Sequence, residues 1–164
     1  MSQAPPASAS SMVPVATGSK GYHVVAPIRP SVDVEALATA MQQLAALLVA
    51  AHPDEMTIVF RVALRGQRVF IDWMRNHPLA TVVAPYSLRA RPRATVATPL
   101  AWEEVDTLAP DAFAIDDVER LLDRPDSLAD LAAAPGDAER FVAEVGARFA
   151  ASGLVLETFD RFRS

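Results

Sequence analysis

Three short stretches of this chain combine residue types that could do chemistry. In Thr17-Gly18-Ser19-Lys20-Gly21-Tyr22-His23, a glycine-containing turn can turn backbone N–H groups, hydroxyls, an ammonium and an imidazole toward one anion. It is not the phosphate loop of the nucleoside triphosphatases, because its two glycines stand too close together and Lys20 precedes the second of them. A Gly-Ser turn ahead of a strand can equally be a turn and nothing more. In Val69-Phe70-Ile71-Asp72-Trp73-Met74-Arg75-Asn76, an acid follows three apolar residues of strand character. A carboxylate so placed is held rigidly yet reaches solvent, which suits a ligand for a hard cation; the plainer alternative is a strand-end Asp that caps the next turn. In Tyr86-Ser87-Leu88-Arg89-Ala90-Arg91, an extended backbone would put Arg89 and Arg91 on one face, where two guanidinium forks could grip neighbouring phosphates. An ordinary solvated strand edge is the competing reading.

The elements that must position these residues are legible as periodicities. Tyr22 to Ile28 is a β-branched run between Gly21 and Pro30 and reads as a buried strand following the Thr17 turn. Ser31 is a candidate N-cap for a helix over residues 32–51, with Asp33 and Glu35 in its first turn and Val34, Leu37, Ala38, Met41, Leu44, Ala45 and Leu48 at helical spacing. Pro53 ends that run. Met56 to Val62 and Arg68 to Ile71 favour β structure, and Arg65-Gly66-Gln67 between them points to a hairpin. Thr81 to Leu88 and Ala94 to Ala97 read as extended, with Pro85, Pro92 and Pro99 placing them at edges or irregular joints. Helices are expected over Asp116 to Leu122, Ser127 to Ala132 and Ala138 to Ala151, the last with an apolar stripe of Phe141, Val142, Val145 and Phe149 and with Gly153 as its stop.

Composition narrows the chemistry. The 164 residues, 51% hydrophobic, fit one domain with a modest core. There is no cysteine, so disulfides, zinc knuckles and thiol nucleophiles are excluded. No uninterrupted apolar run approaches the roughly 18 residues that cross a bilayer, and residues 1–12, rich in Ala, Ser and Pro, read as a flexible leader without the features of a secretory signal. A cytoplasmic protein with no membrane partner is expected. The net charge of −5 conceals a basic segment: Arg61 to Arg93 holds seven arginines and one acid, Asp72, while Lys20 is the only lysine in the chain. That segment is a candidate polyanion site, since the planar guanidinium suits bidentate phosphate contact.

Taken together and in order, the three stretches resemble the second half of the primase-polymerase domain of bacterial DNA ligase D and its stand-alone relatives, in the archaeo-eukaryotic primase superfamily. The turn from Thr17 to Pro27 resembles that family's serine-to-histidine motif, and Val69 to Asn76 its last metal-carboxylate motif. Ala84 to Pro92 with Thr98 to Glu104 resembles its downstream stretch, and Phe159 to Ser164 resembles the end of stand-alone members. The resemblance implies an α/β fold with a mixed β-sheet, packed helices and a helical C-terminal extension over residues 13–164. It also implies template-dependent nucleotidyl transfer in non-homologous end joining, with Mn²⁺ or Mg²⁺, nucleoside triphosphate and DNA ends, and with Ku and a DNA ligase as the surrounding machinery. Asp72 matches a catalytic metal carboxylate. Thr17, Lys20, His23, Arg75, Arg89 and Arg91 match residues around the incoming nucleotide.

One part of the family's pattern is missing from this sequence. The first metal motif, two aspartates one residue apart, belongs upstream of the Thr17 turn, yet only sixteen residues precede that turn and none is acidic. A lone Asp72 cannot place two metals, so the expectation is an N-terminally truncated domain that does not polymerise as it stands. The alternatives are a non-catalytic remnant that still binds nucleotide or DNA through its arginines, and a degraded product with no ligand.

Overall fold

The computed structural model describes residues 12–129, 131 and 135–156. The leader up to residue 11 and the closing Phe159 to Ser164 lie outside the described residues, as do Asp130 and residues 132–134 of the helix expected over 127–132. Two compact units divide the chain, one formed by Met1–Arg29 with Val82–Gly136, the other by Pro30–Thr81 with Asp137–Ser164.

The first unit is built on a three-stranded antiparallel sheet in the order β2-β1-β5, with β1 at Val13–Ala16, β2 at Tyr22–Val25 and β5 at Thr98–Pro99. The central strand, β1, is buried along its whole length although it contains Pro14. A proline removes a ladder donor, which normally keeps it at sheet edges. Here the Pro14 carbonyl accepts from Leu100 N–H at 2.8 Å, so the missing donor faces β5, whose ladder stops at Val15↔Pro99. No strand residue is left waiting for it. By contrast β2 is an edge strand that ends at Val25, short of the expected Ile28, and its residues are half-buried or exposed rather than buried.

The segment expected at an edge proves central. Tyr86 N–H reaches Ala97 C=O, Ala97 N–H reaches Ser87 C=O and Arg89 N–H reaches Thr95 C=O, closing two antiparallel arms around a turn at Arg91–Ala94. On its other side, Thr95 bridges Ala114 and Val96 N–H bonds to Phe113 C=O. The prolines at 85, 92 and 99 punctuate the ends of this structure, and Thr95 to Leu100 are all buried. Ala16, Val96, Leu100 and Phe113 form the core, with Tyr22, Leu108, Ala112 and Leu121 packed around it. The helix expected over 116–122 appears as a 3₁₀ turn at Ile115–Asp117 that runs into α2, Val118–Leu122. Of the helix expected over 127–132, residues 127–129 form a turn.

In the second unit, α1 (Val34–Ala51) begins two residues later than expected, because the cap is Asp33, not Ser31. The Asp33 carboxylate accepts from the N–H groups of Glu35 and Ala36, at 3.0 and 3.2 Å. By length and composition α1 is apolar enough to cross a membrane, but it packs against α3 (Ala138–Ser152) and the 3₁₀ turn Trp73–Asn76. Asp137 caps α3 and Gly153 ends it at a φ of 70°, while Val145 and Phe149 of the expected stripe are buried.

The expected hairpin is not one. Strands β3 (Met56–Thr57) and β4 (Val69–Phe70) pair in parallel, with Met56↔Val69 and Thr57↔Phe70 in register. Residues 58–68 form a crossover through a 3₁₀ turn at Val62–Leu64 and a reversal at Gly66, whose φ is 60°. The glycine turns the chain inside this crossover instead of joining two antiparallel strands.

Candidate functional site

The Thr17 turn is closed from within. Thr17 uses both its N–H and its hydroxyl to reach the Gly21 carbonyl, at 3.0 and 2.7 Å. Gly18 sits at a φ of 64°, a left-handed conformation that a glycine adopts without strain. The turn lies against the hairpin of residues 86–97 at consecutive residues. The Thr95 hydroxyl donates to the Gly18 carbonyl, and Arg91 Nη2 donates to Ser19 Oγ at 2.7 Å. The stem of Arg89 crosses directly over Gly18: a Cβ there would stand 2.7 Å from Arg89 Cγ and 3.0 Å from the Val96 carbonyl carbon. Five of the expected residues, Thr17, Lys20, His23, Arg89 and Arg91, are therefore in one unit, and four of them belong to two segments in direct contact at Gly18 and Ser19. His23 is half-buried on β2, opposite Val15. Lys20 is exposed at the tip of the turn.

Regular strand alternation does not account for the arginine pair. Arg91 is already in the reversal, with its N–H bonded to the Arg89 carbonyl, so the two side chains are set by what they touch on the Thr17 turn. Among the described residues no carboxylate pairs with Lys20, Arg89 or Arg91. Their charge is thus available to a polyanion, and the turn adds hydroxyl and backbone donors beside it. Thr17 donates its hydroxyl to the Gly21 carbonyl and so shapes the turn.

Asp72 and Arg75 belong to the other unit. Asp72 follows β4, after Ile71 has given its N–H to the Thr57 carbonyl, and leads into the Trp73–Asn76 turn without capping it through its side chain. Its Oδ2 instead accepts from Arg75 Nε at 2.9 Å, and Arg75 Nη1 also reaches the Thr81 carbonyl. A divalent cation of the Mg²⁺ or Mn²⁺ type needs several oxygen ligands in fixed geometry. One carboxylate already bonded to a guanidinium does not supply them, and no group of three potential ligands occurs among the described residues. The residues present do not by themselves fit a metal centre. Because this ion pair is solvent-exposed, Asp72→Asn should shift stability by less than about 1 kcal/mol, read as a nearly unchanged thermal midpoint.

The sequence reading missed the support behind the hairpin. Glu104 holds Arg124 through two hydrogen bonds of 2.8 and 2.6 Å and also accepts from Ala101 N–H, while Arg120 and Arg124 both lie over the Phe113 ring. The hydrogen bond from Arg124 holds the Glu104 carboxyl below its ordinary value of 4.5 and outweighs the opposing effect of burial. Its contribution to stability is therefore full above about that value and lost as pH falls through the lowered folded one. Acid titration of unfolding should show this loss in the native protein and not in Glu104→Gln, which should be less stable near neutral pH by about 1–2 kcal/mol, between exposed and buried pairs. Tyr86, at a φ of 63°, places its hydroxyl 3.4 Å from Asp126, and burial first and that carboxylate second raise its pKa. Neither contact has a signature at sequence level, since 20 and 40 residues separate the partners.

The family model for the LigD primase-polymerase domain matches residues 8–129. The chain belongs to the LigD primase-polymerase domain family. That stretch holds every expected site residue. The multifunctional non-homologous end joining protein LigD of Mycolicibacterium smegmatis is 35% identical over 131 residues, covering 80% of this chain and 17% of that protein. The bifunctional LigD of Bacillus subtilis is 31% identical over 64% of this chain and 18% of its own length. Among solved structures, the polymerase domain of Mycobacterium tuberculosis ligase D in complex with DNA aligns with a TM-score of 0.66 at 34% identity, over 76% of this chain and 44% of that one. The LigD fold of mixed α/β type is thereby established for this chain, which spans less than a fifth of those two curated relatives and under half of the solved domain.

Proposed function

We propose that this LigD-family chain carries the nucleotide-phosphate side of a template-dependent nucleotidyltransferase acting in non-homologous end joining. The observation that supports this most is the contact of the Gly18-Ser19 turn with Arg89 and Arg91, which gathers cations that have no carboxylate partner among the described residues around a turn rich in donors. Such a surface recognises the triphosphate of an incoming nucleotide: guanidinium forks bind terminal oxygens, and Lys20 adds a mobile charge at the rim. Phosphoryl and nucleotidyl transfer depend chiefly on positioning and on offsetting charge, and these residues supply both for the leaving phosphates.

Metal-assisted transfer needs several oxygen ligands, and among the described residues Asp72, already paired with Arg75, does not fit such a centre by itself. DNA ends, Ku and a ligase are the proposed partners, and a cytoplasmic, DNA-associated location follows from that role. The experiment is a comparison of ATP, AMP and adenosine by titration. Affinity should fall stepwise as phosphates are removed and should weaken with salt; equal binding of adenosine and ATP would rule the reading out. Extension of a primed template with Mn²⁺ by this chain alone should be absent. Robust extension would show that Asp72 has ligand partners not among the described residues.

A further inference from the structure

Among the described residues, only two that are not glycine adopt a positive φ, Tyr86 at 63° and Ala94 at 46°. Both belong to the hairpin that carries Arg89 and Arg91: Tyr86 opens its first arm and Ala94 closes its reversal. Pro85 precedes Tyr86, and Ser87 N–H reaches the Ala84 carbonyl at 3.2 Å, so Tyr86 takes the place in a proline-led turn that glycine normally fills. A tyrosine there carries a backbone cost that glycine would not, and strained residues of this kind gather where a side chain is needed in one place. The side chain has a defined partner within the same unit. Its hydroxyl donates to Asp126 Oδ1 at 3.4 Å, and the same oxygen accepts from Leu128 N–H at 3.0 Å, which fixes the carboxylate. Two residues earlier, Arg124 is tied to Glu104 and to the Pro99 carbonyl. Residues 124–128 thus strap the open end of the hairpin. Because Tyr86 is 50% exposed and the hydrogen bond is long, the contact adds little to stability and does not offset the backbone cost.

We infer that Tyr86 is a positioning residue of the anion site: tied to Asp126, it fixes the hairpin arm so that Arg89 crosses Gly18 and Arg91 reaches Ser19. Tyr86 N–H bonds to the Ala97 carbonyl and Arg89 N–H to the Thr95 carbonyl, so a shift at residue 86 is carried along the ladder to Arg89. Ala97 also faces the turn, its nitrogen 3.2 Å from where a Cβ on Gly18 would stand. Turn and hairpin are therefore in contact where Tyr86 pairs, and the register of that pairing sets where the two guanidinium groups lie. The inference rests on the phosphate-binding reading of this surface and adds the residue that holds its arginines in place.

The test is titration of full-chain variants with inorganic triphosphate, with thermal unfolding and amide exchange read on the same samples. Tyr86→Phe keeps the ring and loses the hydroxyl. It should weaken binding about threefold to tenfold, the scale for a residue that acts without touching the ligand, at an unchanged thermal midpoint. Exchange should quicken at Arg89 and Ala97, whose amides close the hairpin, and not at Leu100, whose amide bonds to Pro14. Asp126→Ala should weaken binding similarly although it removes a negative charge, a change that by electrostatics alone favours an anion. Asp126→Asn removes the same charge but keeps an acceptor oxygen, and it should recover most of the affinity. Native affinity together with native hairpin exchange in Tyr86→Phe would overturn the inference, as would tighter binding by Asp126→Ala. Should the native chain bind no triphosphate, the phosphate reading fails on that result alone. Unchanged exchange at Arg89 and Ala97 in Tyr86→Phe would separately overturn the positioning role.

Discussion

Replacing Arg89 and Arg91 together by alanine is expected to remove triphosphate binding while leaving the fold in place. Each charge-assisted contact to a phosphate contributes about 1.5–3 kcal/mol, so losing two raises the dissociation constant by roughly 10²–10⁴-fold. The structural loss is much smaller. The Arg91–Ser19 hydrogen bond is exposed, and only the Arg89 stem packs on the turn. Calorimetric titration with inorganic triphosphate reads the affinity, and circular dichroism confirms the fold. Lysine at both positions restores charge but not the fork and should recover part of the affinity. A double alanine variant that binds as tightly as the native chain would move the anion site elsewhere, with the arginines at 61, 65 and 68 the first to examine.

Gly18→Ala is expected to be the most damaging single substitution on the turn. An alanine at a φ of 64° carries a backbone penalty of about 1–2 kcal/mol. Its Cβ would also lie 2.7 Å from Arg89 Cγ and 3.0 Å from the Val96 carbonyl carbon, so the arginine must leave its seat or the buried hairpin must shift. Total destabilisation of about 2–4 kcal/mol follows, adding an overpacking term to the backbone one. Triphosphate affinity should fall with it because Arg89 is displaced. Gly21→Ala is the control: nothing lies within 4 Å of its Cβ position, and it should be tolerated. Thermal unfolding of the two variants side by side reads the difference, and equal midpoints would contradict the close packing of the turn on the hairpin.

Much of the candidate site was legible in the sequence because its residues occur in short, ordered stretches. The Thr17 turn and the Arg89-Arg91 pair each announce anion chemistry by type and spacing, and their resemblance to one family implied that they work together. The structure adds the means: Gly18 as the point where Arg89 crosses, and Ser19 as the partner of Arg91. Helices were legible wherever a cap and an apolar stripe coincide, as in α1 and α3, with the start of α1 misplaced because Ser31 and Asp33 are both competent caps.

Strands were less legible for particular reasons. Strand β1 contains Pro14, which speaks against a central strand until the register shows that its missing donor opposes the end of β5. Strands β3 and β4 are two residues each, so Gly66 between them looked like a hairpin turn although it lies in a parallel crossover. Long-range supports such as Glu104–Arg124 and Tyr86–Asp126 leave no local pattern at all.

The claim on which the function rests is that one anion site forms where the Gly18-Ser19 turn meets Arg89 and Arg91. Amide chemical shifts of the isotopically labelled full chain, followed during titration with inorganic triphosphate in metal-free buffer, test it most directly. The account predicts saturable shifts centred on residues 18–21 and 89–91 that weaken as salt rises. Shifts confined to the segment from Arg61 to Arg75, or no saturable change at any residue, would contradict it.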